Sequence, residues 1–276
     1  MPTPLHPPAR PTRHDAASPC FFDLQGKRCV VTGAAAGIGL AVAERFAAAG
    51  AQVWLTDIDT SSVEAVGQQL NEAGGDAIAA GLDVGDARAC TAFGETLAQR
   101  WDGGADVLVN NAGVGFKGTI LETGIDDYRR LHRVNVEGVI NLTRTLLPAM
   151  VQRRSGSVIN IASIGGELGL SDRAGYCTTK FAVVGLTKSM ALDHAGDQVR
   201  INCICPGRVH TPFVERIIQS YDDPDEAYRQ MAGTQPIGRM ARPDEIAAAA
   251  HYLACDDAAF ITGTALRVDG GFSAGK

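Results

Sequence analysis

One tyrosine–lysine pair in the sequence has a spacing that could support catalysis. Tyr176 and Lys180 begin an apolar, helix-like stretch, and residues four apart lie on one face of a helix. A phenol with a pKa of about 10 is a weak base at neutral pH, but a fixed ammonium nearby favours the phenolate. The pair could therefore relay a proton between an alcohol and a ketone. Ser163, 13 residues earlier, could hydrogen-bond a substrate oxygen. Taken alone, the pair could be a surface coincidence and Ser163 a turn residue.

A glycine-rich turn joins the first predicted strand to the first predicted helix. Residues 32–39 read TGAAAGIG, with glycines at Gly33, Gly37 and Gly39. Glycines let a backbone approach phosphates closely, and the following helix N-terminus supplies free N–H groups and a positive dipole end. The turn, including Ile38, therefore predicts a pyrophosphate site for a dinucleotide. The alternative is a tight strand–helix turn without a ligand.

An acidic residue, Asp57, ends the second predicted strand 18 residues beyond Gly39. A carboxylate there can accept hydrogen bonds from the adenosine ribose and would repel a 2′-phosphate. No Arg or Lys lies in the glycine turn or directly after Asp57. The sequence therefore favours NAD over NADP as the cofactor. The alternative for Asp57 is a helix-capping or turn residue.

Short apolar runs typical of buried strands alternate with amphipathic stretches that have helical spacing. In Ile38–Ala49, for example, apolar residues recur at three- and four-residue steps. This alternation predicts an α/β fold with a doubly wound, Rossmann-like parallel sheet and helices on both faces. No repeat or linker divides the chain, so one domain is predicted for 22–276. The predicted strands cover 28–32, 52–57, 77–83, 106–110, 157–162, 200–205 and 266–268.

Composition limits the classes of partner. The net charge is −6 and the isoelectric point is near 5.5, which argues against nucleic acid or an anionic membrane as the main partner. No apolar run is long enough to predict a membrane span. The seven cysteines and six histidines follow no metal-binding spacing, so no metal site is predicted. Most cysteines are expected to be reduced core residues of a cytoplasmic protein.

The prolines are unevenly distributed, since six of the 12 lie in the first 19 residues. Proline removes a backbone donor and fixes φ, so this segment cannot form a helix or a central strand. A flexible, Pro-rich tail is therefore predicted for 1–21. A transit peptide is the less favoured alternative, because the prolines oppose the amphipathic helix that import requires.

Taken together, the motifs resemble those of the short-chain dehydrogenase/reductase family in order and spacing. The resemblance covers about residues 24–272 and includes three motifs besides the glycine turn and the Tyr176/Lys180 pair. These are the run Asn110-Asn111-Ala112-Gly113, the residues Asn135 and Ser163, and the dipeptide Pro206-Gly207.

The resemblance implies catalytic roles for four residues. Tyr176 would be the acid/base. Lys180 would lower its pKa and hold the nicotinamide ribose. Ser163 would polarise the reacting C–O group, and Asn135 would hold a water of the proton relay.

The resemblance also implies a set of cofactor-binding residues. Asp83 and Val84 would flank the adenine, although Asp83 could equally cap a helix. Asn110 would support the adenosine side, whereas Asn111 could be purely structural. The implied set is Gly33, Gly37, Ile38, Gly39, Asp57, Asp83, Val84, Asn110, Ala112, Gly113, Tyr176, Lys180, Pro206, Gly207, Val209 and Thr211.

Two arginines next to these motifs suggest an anionic substrate. Arg173 precedes Tyr176 by three residues, and Arg208 follows Gly207. Either guanidinium could bind a carboxylate through two hydrogen bonds, together with contacts from Ser163 and Tyr176. A cofactor or surface contact is the alternative for each arginine. The polar segment 209–235 would form a mobile helical lid over the substrate.

Residues 172–180, 201–209 and 223–227 are similar to a narrower subgroup whose substrates are small hydroxy acids. It includes 2-keto-3-deoxy-L-fuconate dehydrogenases and the cytosolic type-2 3-hydroxybutyrate dehydrogenase. A 2-keto-3-deoxy sugar acid such as 2-keto-3-deoxy-L-fuconate is therefore the favoured substrate, and 3-hydroxybutyrate is the alternative. A carrier-linked 3-oxoacyl reductase is less favoured because that enzyme usually uses NADPH and a basic docking patch. A non-catalytic NAD-binding protein is the least favoured reading.

The resemblance further implies a homotetramer. Its contacts would involve the helices near 125–153 and 174–194 and the region around Asp269-Gly270-Gly271.

Overall fold

A computed structural model describes residues 22–219 and 221–275, and every structural statement below refers to these residues. The predicted tail at 1–21 therefore lies outside the described residues. The described chain forms a seven-stranded parallel sheet in the order β3-β2-β1-β4-β5-β6-β7. Its strands are β1 (Arg28–Thr32), β2 (Gln52–Asp57), β3 (Asp76–Gly81), β4 (Val107–Asn110), β5 (Gly156–Ile161), β6 (Val199–Pro206) and β7 (Ala265–Val268).

The predicted strands are confirmed: β1 and β2 coincide with the prediction, and the ends of the others differ by at most two residues. The difference is largest at β3, which was expected to reach Asp83 and ends at Gly81. The chain turns there because the Asp83 carbonyl oxygen accepts the Asp86 N–H at 3.0 Å. Asp83 therefore belongs to the loop beyond the sheet.

Helices cover both faces of the sheet, as the alternation of strands and helices predicted. In β1, Cys29 and Val31 face the first layer, whereas Val30 faces the second, because successive strand residues point to opposite sides. Helices α1, α2 and α9 pack in the first layer, and α3, α5 and α6 pack in the second. The helices are α1 (Gly37–Ala48), α2 (Thr60–Glu72), α3 (Ala87–Arg100), α4 (Ile125–His132), α5 (Gly138–Arg153), α6 (Ala174–His194), α7 (Pro212–Ile218), α8 (Pro224–Ala232) and α9 (Pro243–Ala254).

The strand order determines where a ligand can bind. Strand β1 lies between β2 and β4, so the order of the chain reverses at the β1–β4 boundary. In open parallel sheets, ligands bind beyond the carboxyl ends of the strands at such a switch point. The carboxyl ends of β1, β2, β4 and β6 carry Thr32, Asp57, Asn110 and Pro206, which the topology thereby brings to one edge of the sheet.

The six cysteines from Cys29 to Cys255 are buried and unpaired, as expected for core thiols. Across 22–219 and 221–275, no helix has the length and apolar character needed to cross a membrane.

An arginine of β6 closes the carboxyl end of α9. The Arg200 guanidinium donates hydrogen bonds to the carbonyl oxygens of Leu253 at 2.6 Å, Cys255 at 3.1 Å and Ala254 at 3.4 Å. The last carbonyls of a helix have no donor within the helix, and a cation there also complements the helix dipole. Arg200 therefore ties α9 to the sheet, even though burial lowers the pKa of its guanidinium.

We expect Arg200→Met to lower the free energy of unfolding by about 2 kcal/mol, because it removes the charge-assisted hydrogen bonds that tie α9 to the sheet. Urea unfolding followed by the fluorescence of the buried Trp54 and Trp101 measures the change. The matched control is Arg129→Met, which removes a pair with Asp126 on the exposed surface of α4. The control should change stability by less than about 0.5 kcal/mol. Equal unfolding midpoints for the two variants would contradict the capping role.

Candidate active site

The glycine turn has the geometry that a pyrophosphate site requires. Gly33 and Gly37 adopt positive φ angles of +63° and +59°, which favour glycine. A Cβ on Gly39 would overlap the carbonyl oxygen of Gly33. Ala36, at the N-cap of α1, supplies no side-chain cap, so the first N–H groups of the helix stay available to an anion. These residues therefore fit a dinucleotide phosphate group.

Two residues that sequence reasoning did not assign to the site hold this turn in place. The Asn111 side-chain amide donates to the carbonyl oxygens of Thr32 at 2.9 Å and Gly33 at 3.0 Å. The Thr32 hydroxyl accepts the N–H groups of Asn111 at 3.0 Å and Ala112 at 2.9 Å. These bonds join the end of β1 to the loop after β4 across the switch point. In the sequence, Thr32 is a hydroxyl residue directly before the first glycine. Only the strand order shows that its partners lie in the loop after β4.

Asp57 lies at the end of β2 beside the glycine turn. Its carboxylate accepts the Ala35 N–H at 3.1 Å and the Asp59 N–H at 3.1 Å. The side chain that caps α2 belongs to Asp59, which accepts the Ser62 N–H. The capping alternative for Asp57 is therefore wrong. Its carboxylate stabilises the turn and retains lone pairs that a ribose hydroxyl could use.

The loop after β3 places Asp83 at the next strand end. The Asp83 carboxylate accepts the Gly85 N–H at 2.9 Å and forms an ion pair with Arg133. Helix α3 is capped by Asp86, so the capping alternative for Asp83 is also wrong. Val84 is buried next to it. Asp57 and Asp83 thus follow the adjacent strands β2 and β3, on the same side of the switch point.

The side chain of Asn110 is used inside the protein. Its amide donates to Asn160 Oδ1 at 2.9 Å and to Thr143 Oγ1 at 3.0 Å, and Asn160 donates onward to Thr187 Oγ1 at 2.9 Å. Both amide hydrogens of Asn110 therefore have partners within this buried network. Asn110 could therefore support the adenosine side of the cofactor site only through its main chain, or by stabilising the end of β4.

Tyr176 and Lys180 lie one turn apart near the start of α6, as their spacing predicted. The Lys180 Nζ is 5.7 Å from the centroid of the Tyr176 ring and donates a hydrogen bond to the Ile161 carbonyl oxygen at 2.9 Å. Burial lowers the pKa of Lys180 to about 8. Gly113 borders the same space, because a Cβ there would lie 3.7 Å from Lys180 Nζ. The structure thus brings the loop after β4 to the Tyr–Lys pair.

Desolvation by the surrounding protein raises the pKa of the Tyr176 phenol, and this is the largest effect on it. A hydrogen bond with Ser163 is the strongest influence in the opposite direction, followed by the positive charge of Arg173. The Ser163 hydroxyl also accepts the Gly165 N–H at 3.0 Å. Ser163 and Arg173 therefore favour the phenolate, but desolvation outweighs them and the pKa of Tyr176 is raised. The expectation that Lys180 would lower this pKa is not confirmed.

Asn135 lies in a π-helical turn, Arg133–Glu137, between α4 and α5. Its side-chain oxygen accepts the Val114 N–H at 2.8 Å. Its amide donates to the Val114 carbonyl oxygen at 2.9 Å and to Thr179 Oγ1 at 3.0 Å. Asn135 thereby fixes the loop after β4 against α6. Because both amide hydrogens are used, a relay water would have to bind at one of its oxygens.

The two arginines expected at the substrate end lie close to each other, although they come from separate segments. The pKa of Arg208 is lowered first by desolvation and then by the charge of Arg173, which also acts on the Tyr176 phenol. Arg173 Nη1 donates to the Phe116 carbonyl oxygen at 3.1 Å. Arg173 thus acts on both the phenol and Arg208, and two neighbouring guanidinium groups form a positive region suited to an anionic group.

The segment after β6 borders the glycine turn. A Cβ on Gly37 would lie 3.3 Å from Thr211 Cγ2, and a Cβ on Gly207 would lie 2.9 Å from Asp269 Cα. Thr211 caps α7, and Val209 is buried. The structure thus brings the glycine turn and the Pro206–Thr211 segment together.

The segment 209–235, predicted as a lid, contains the short helices α7 and α8. Its end is fastened by Gln235, which is buried. The Gln235 side chain accepts the Arg208 N–H at 2.6 Å and donates to the carbonyl oxygens of Ala232 at 3.3 Å and Arg239 at 3.2 Å. No spacing in the sequence pointed to this contact. Opening and closing of the lid stays a prediction.

The fold and the site define a nicotinamide-dependent oxidoreductase that acts on secondary alcohols or ketones. A family model described as "Enoyl-(Acyl carrier protein) reductase" matches residues 33–273. The chain therefore belongs to the short-chain dehydrogenase/reductase family, which confirms the resemblance seen in its motifs.

Similar proteins carry several substrate names. The chain is 42% identical over 251 residues to meso-2,3-butanediol dehydrogenase of Serratia marcescens, covering 91% of this chain and 96% of that protein. It is 40% identical over 253 residues to 2-keto-3-deoxy-L-fuconate dehydrogenase of Xanthomonas campestris pv. campestris, covering 91% and 81%. A solved structure from Beutenbergia cavernae, described provisionally as an NAD(P)-dependent gluconate 5-dehydrogenase with NADP at low occupancy, matches with a TM-score of 0.85 and 35% identity, covering 92% and 99%.

Proposed function

We propose that the protein is an NAD-dependent dehydrogenase of a small hydroxy acid, with a 2-keto-3-deoxy sugar acid such as 2-keto-3-deoxy-L-fuconate as the favoured substrate. The observation that carries the proposal is the Arg173 guanidinium, whose positive charge acts on the Tyr176 phenol and on the neighbouring Arg208 guanidinium. A carboxylate bound there would hold the reacting carbon near the phenol. One similar protein bears the name of this substrate.

In the proposed mechanism, Tyr176 exchanges a proton with the substrate oxygen. Its raised pKa keeps the phenol protonated, which suits donation to a ketone oxygen during reduction; the reverse transfer accompanies oxidation. The Ser163 hydroxyl donates a hydrogen bond to the same oxygen and stabilises the developing charge. A bound nicotinamide would supply or accept the hydride. Lys180 would hold the nicotinamide ribose, and Asn135 would keep the loop after β4 in place beside it.

The preference for NAD rests on Asp57. A carboxylate at the end of β2 can accept hydrogen bonds from ribose hydroxyls and would repel a 2′-phosphate. The Beutenbergia cavernae structure holds NADP, so the preference needs a direct test.

We expect Arg173→Leu to raise the KM for a sugar acid about thirtyfold, because it removes a charge-assisted contact to the carboxylate. The KM for NAD should change less than about twofold. Initial rates at the nicotinamide absorbance measure both values. The matched control is Arg129→Leu, which removes an exposed pair with Asp126 on α4. Unchanged kinetics with the acid would remove the carboxylate argument.

The proposed substrate class is tested by a panel containing 2-keto-3-deoxy sugar acids, 3-hydroxybutyrate, gluconate and meso-2,3-butanediol, each with NAD and with NADP. The sugar acid should give the highest kcat/KM. Preference for butanediol, the substrate named for one relative and a molecule without a carboxylate, would contradict the proposal. A strong preference for NADPH with a carrier-linked 3-oxoacyl substrate would revive the carrier-linked reductase alternative. Failure to turn over any alcohol while still binding NAD would favour the non-catalytic alternative.

We also propose a homotetramer. The supporting observation is that two large apolar side chains of α6, Phe181 and Leu192, are exposed in the single chain. Burial of such side chains between subunits would be favourable.

A further inference from the structure

The π-helical turn at Arg133–Glu137 directs two side chains to different parts of the dinucleotide site. Its backbone hydrogen bond runs from the Gly138 N–H to the Arg133 carbonyl oxygen, five residues earlier. Such a bulge changes the direction of side chains relative to a regular helix, and it is frequent at functional sites. Asn135 contacts the loop after β4, as described above, whereas Arg133 contacts the loop after β3.

The loop after β3 is held by residues from this turn and from the start of α5. Arg133 pairs with the Asp83 carboxylate. The Asn141 side chain donates to the Val84 carbonyl oxygen at 3.0 Å. A Cβ on Gly138 would lie 2.7 Å from Val84 Cγ2, so the helix packs directly on the loop. One side of the loop, Asp83–Gly85, therefore rests on one continuous helical surface.

Space for the Arg133 side chain is made by a glycine. A Cβ on Gly85 would lie 2.6 Å from Arg133 Nε and 3.0 Å from its Cγ. The Gly85 N–H binds Asp83 Oδ1, while Arg133 binds Asp83 Oδ2. The two oxygens of this carboxylate are thus held from two sides, so its orientation is fixed. Arg133 itself remains half-exposed, with 51% of its side-chain surface accessible.

The strand order indicates which part of a dinucleotide meets this carboxylate. Asp57 and Asp83 follow β2 and β3, which lie on the same side of the switch point. In a doubly wound sheet, this half holds one mononucleotide, and the glycine turn that precedes it holds the pyrophosphate. The ribose contact assigned to Asp57 makes this the adenosine half.

We infer that Arg133 is a positioning residue for the adenosine half of the cofactor: it fixes the Asp83 carboxylate at the rim of the adenine site. The inference rests on the proposed dinucleotide binding. Arg133 has no part in proton transfer, so its loss should weaken binding of adenosine-containing ligands and leave the chemical step unchanged.

The test is calorimetric titration of the full chain carrying Arg133→Gln with ADP-ribose and, separately, with nicotinamide mononucleotide. ADP-ribose should bind about threefold to fivefold more weakly, the range expected for a partly exposed ion pair. Nicotinamide mononucleotide should bind as it does to the unchanged protein. In kinetics, the KM for NAD should rise by the same factor, with kcat unchanged. Arg133→Lys, which retains the charge, should recover part of the loss.

Two controls separate positioning from other roles. Arg129→Gln, on the preceding helix, removes an exposed pair with Asp126 and should leave both ligands unaffected. In an Asp83→Asn background, Arg133→Gln should have no further effect if it acts through the carboxylate. The inference would be overturned if Arg133→Gln weakened ADP-ribose binding equally in the Asp83→Asn background. It would also be overturned if the substitution weakened the binding of both ligands by the same factor. No change with ADP-ribose would also overturn it, whereas failure of the unchanged protein to bind ADP-ribose would overturn the proposed cofactor function itself.

Discussion

Tyr176→Phe is expected to lower kcat by about three orders of magnitude, the range found when a general acid/base is removed. The substitution deletes one oxygen and keeps the ring, so the packing of α6 should be preserved. The hydroxyl it removes interacts with Ser163 and with the positive charge of Arg173, and Lys180 Nζ lies 5.7 Å from the centroid of the ring. Desolvation by the surrounding protein raises the pKa of this phenol.

Binding of the cofactor should survive this change within about twofold, because the phosphate and adenosine contacts lie elsewhere in the site. Steady-state rates and calorimetric titration with NADH measure the two quantities separately. Tyr252→Phe on α9, a tyrosine packed against Phe22, is the matched control and should retain full activity. If Tyr176→Phe kept more than about a tenth of the original kcat, another group would have to be the proton donor.

Asp57→Asn should reduce the preference for NAD over NADP by about two orders of magnitude. The asparagine can still accept one backbone N–H, so the glycine turn should persist. The negative charge, however, is lost. Two unit charges about 4 Å apart interact by several kcal/mol in a partly shielded site, and each 1.4 kcal/mol corresponds to about tenfold.

The ratio of kcat/KM for NAD to that for NADP measures the effect. Most of the change should come from improved use of NADP. Asp76→Asn at the start of β3 is a suitable control. The Asp76 carboxylate accepts a hydrogen bond from the Gln52 side chain, at the end of the strand opposite to the cofactor site. An unchanged ratio in Asp57→Asn would show that another residue selects the cofactor, and a ratio that already favours NADP in the unchanged protein would contradict the NAD proposal.

The sequence pattern predicted best those structural features that depend on residues close together in the chain. Buried strands and amphipathic helices have different apolar periods, so the seven strands were predicted within one or two residues. The four-residue spacing of Tyr176 and Lys180 placed them on one helical face without further knowledge. The glycine turn was predictable because positive φ angles and close backbone approach favour one residue type.

Alternatives that depended on partners distant in sequence were resolved only by the fold. Asp57 and Asp83 each had a capping alternative, and the structure gives the caps to Asp59 and Asp86 instead. The side chain of Asn110 is engaged with Thr143 and Asn160, contacts that span 33 and 50 residues.

The sequence by itself determined the class of fold and the residue types at the turn and on α6, because these depend on periodicity and on spacing within one element. Its motifs, taken together, carried the resemblance to the family. The tertiary structure alone decided that Arg173 acts on both the Tyr176 phenol and Arg208, that Thr32 and Asn111 join two strand ends, and that Arg133 reaches Asp83. It also decided that desolvation raises the pKa of Tyr176. The physical reason is that hydrogen bonds, ion pairs and burial act between groups a few ångströms apart, and which groups meet is set by the order of strands in the sheet.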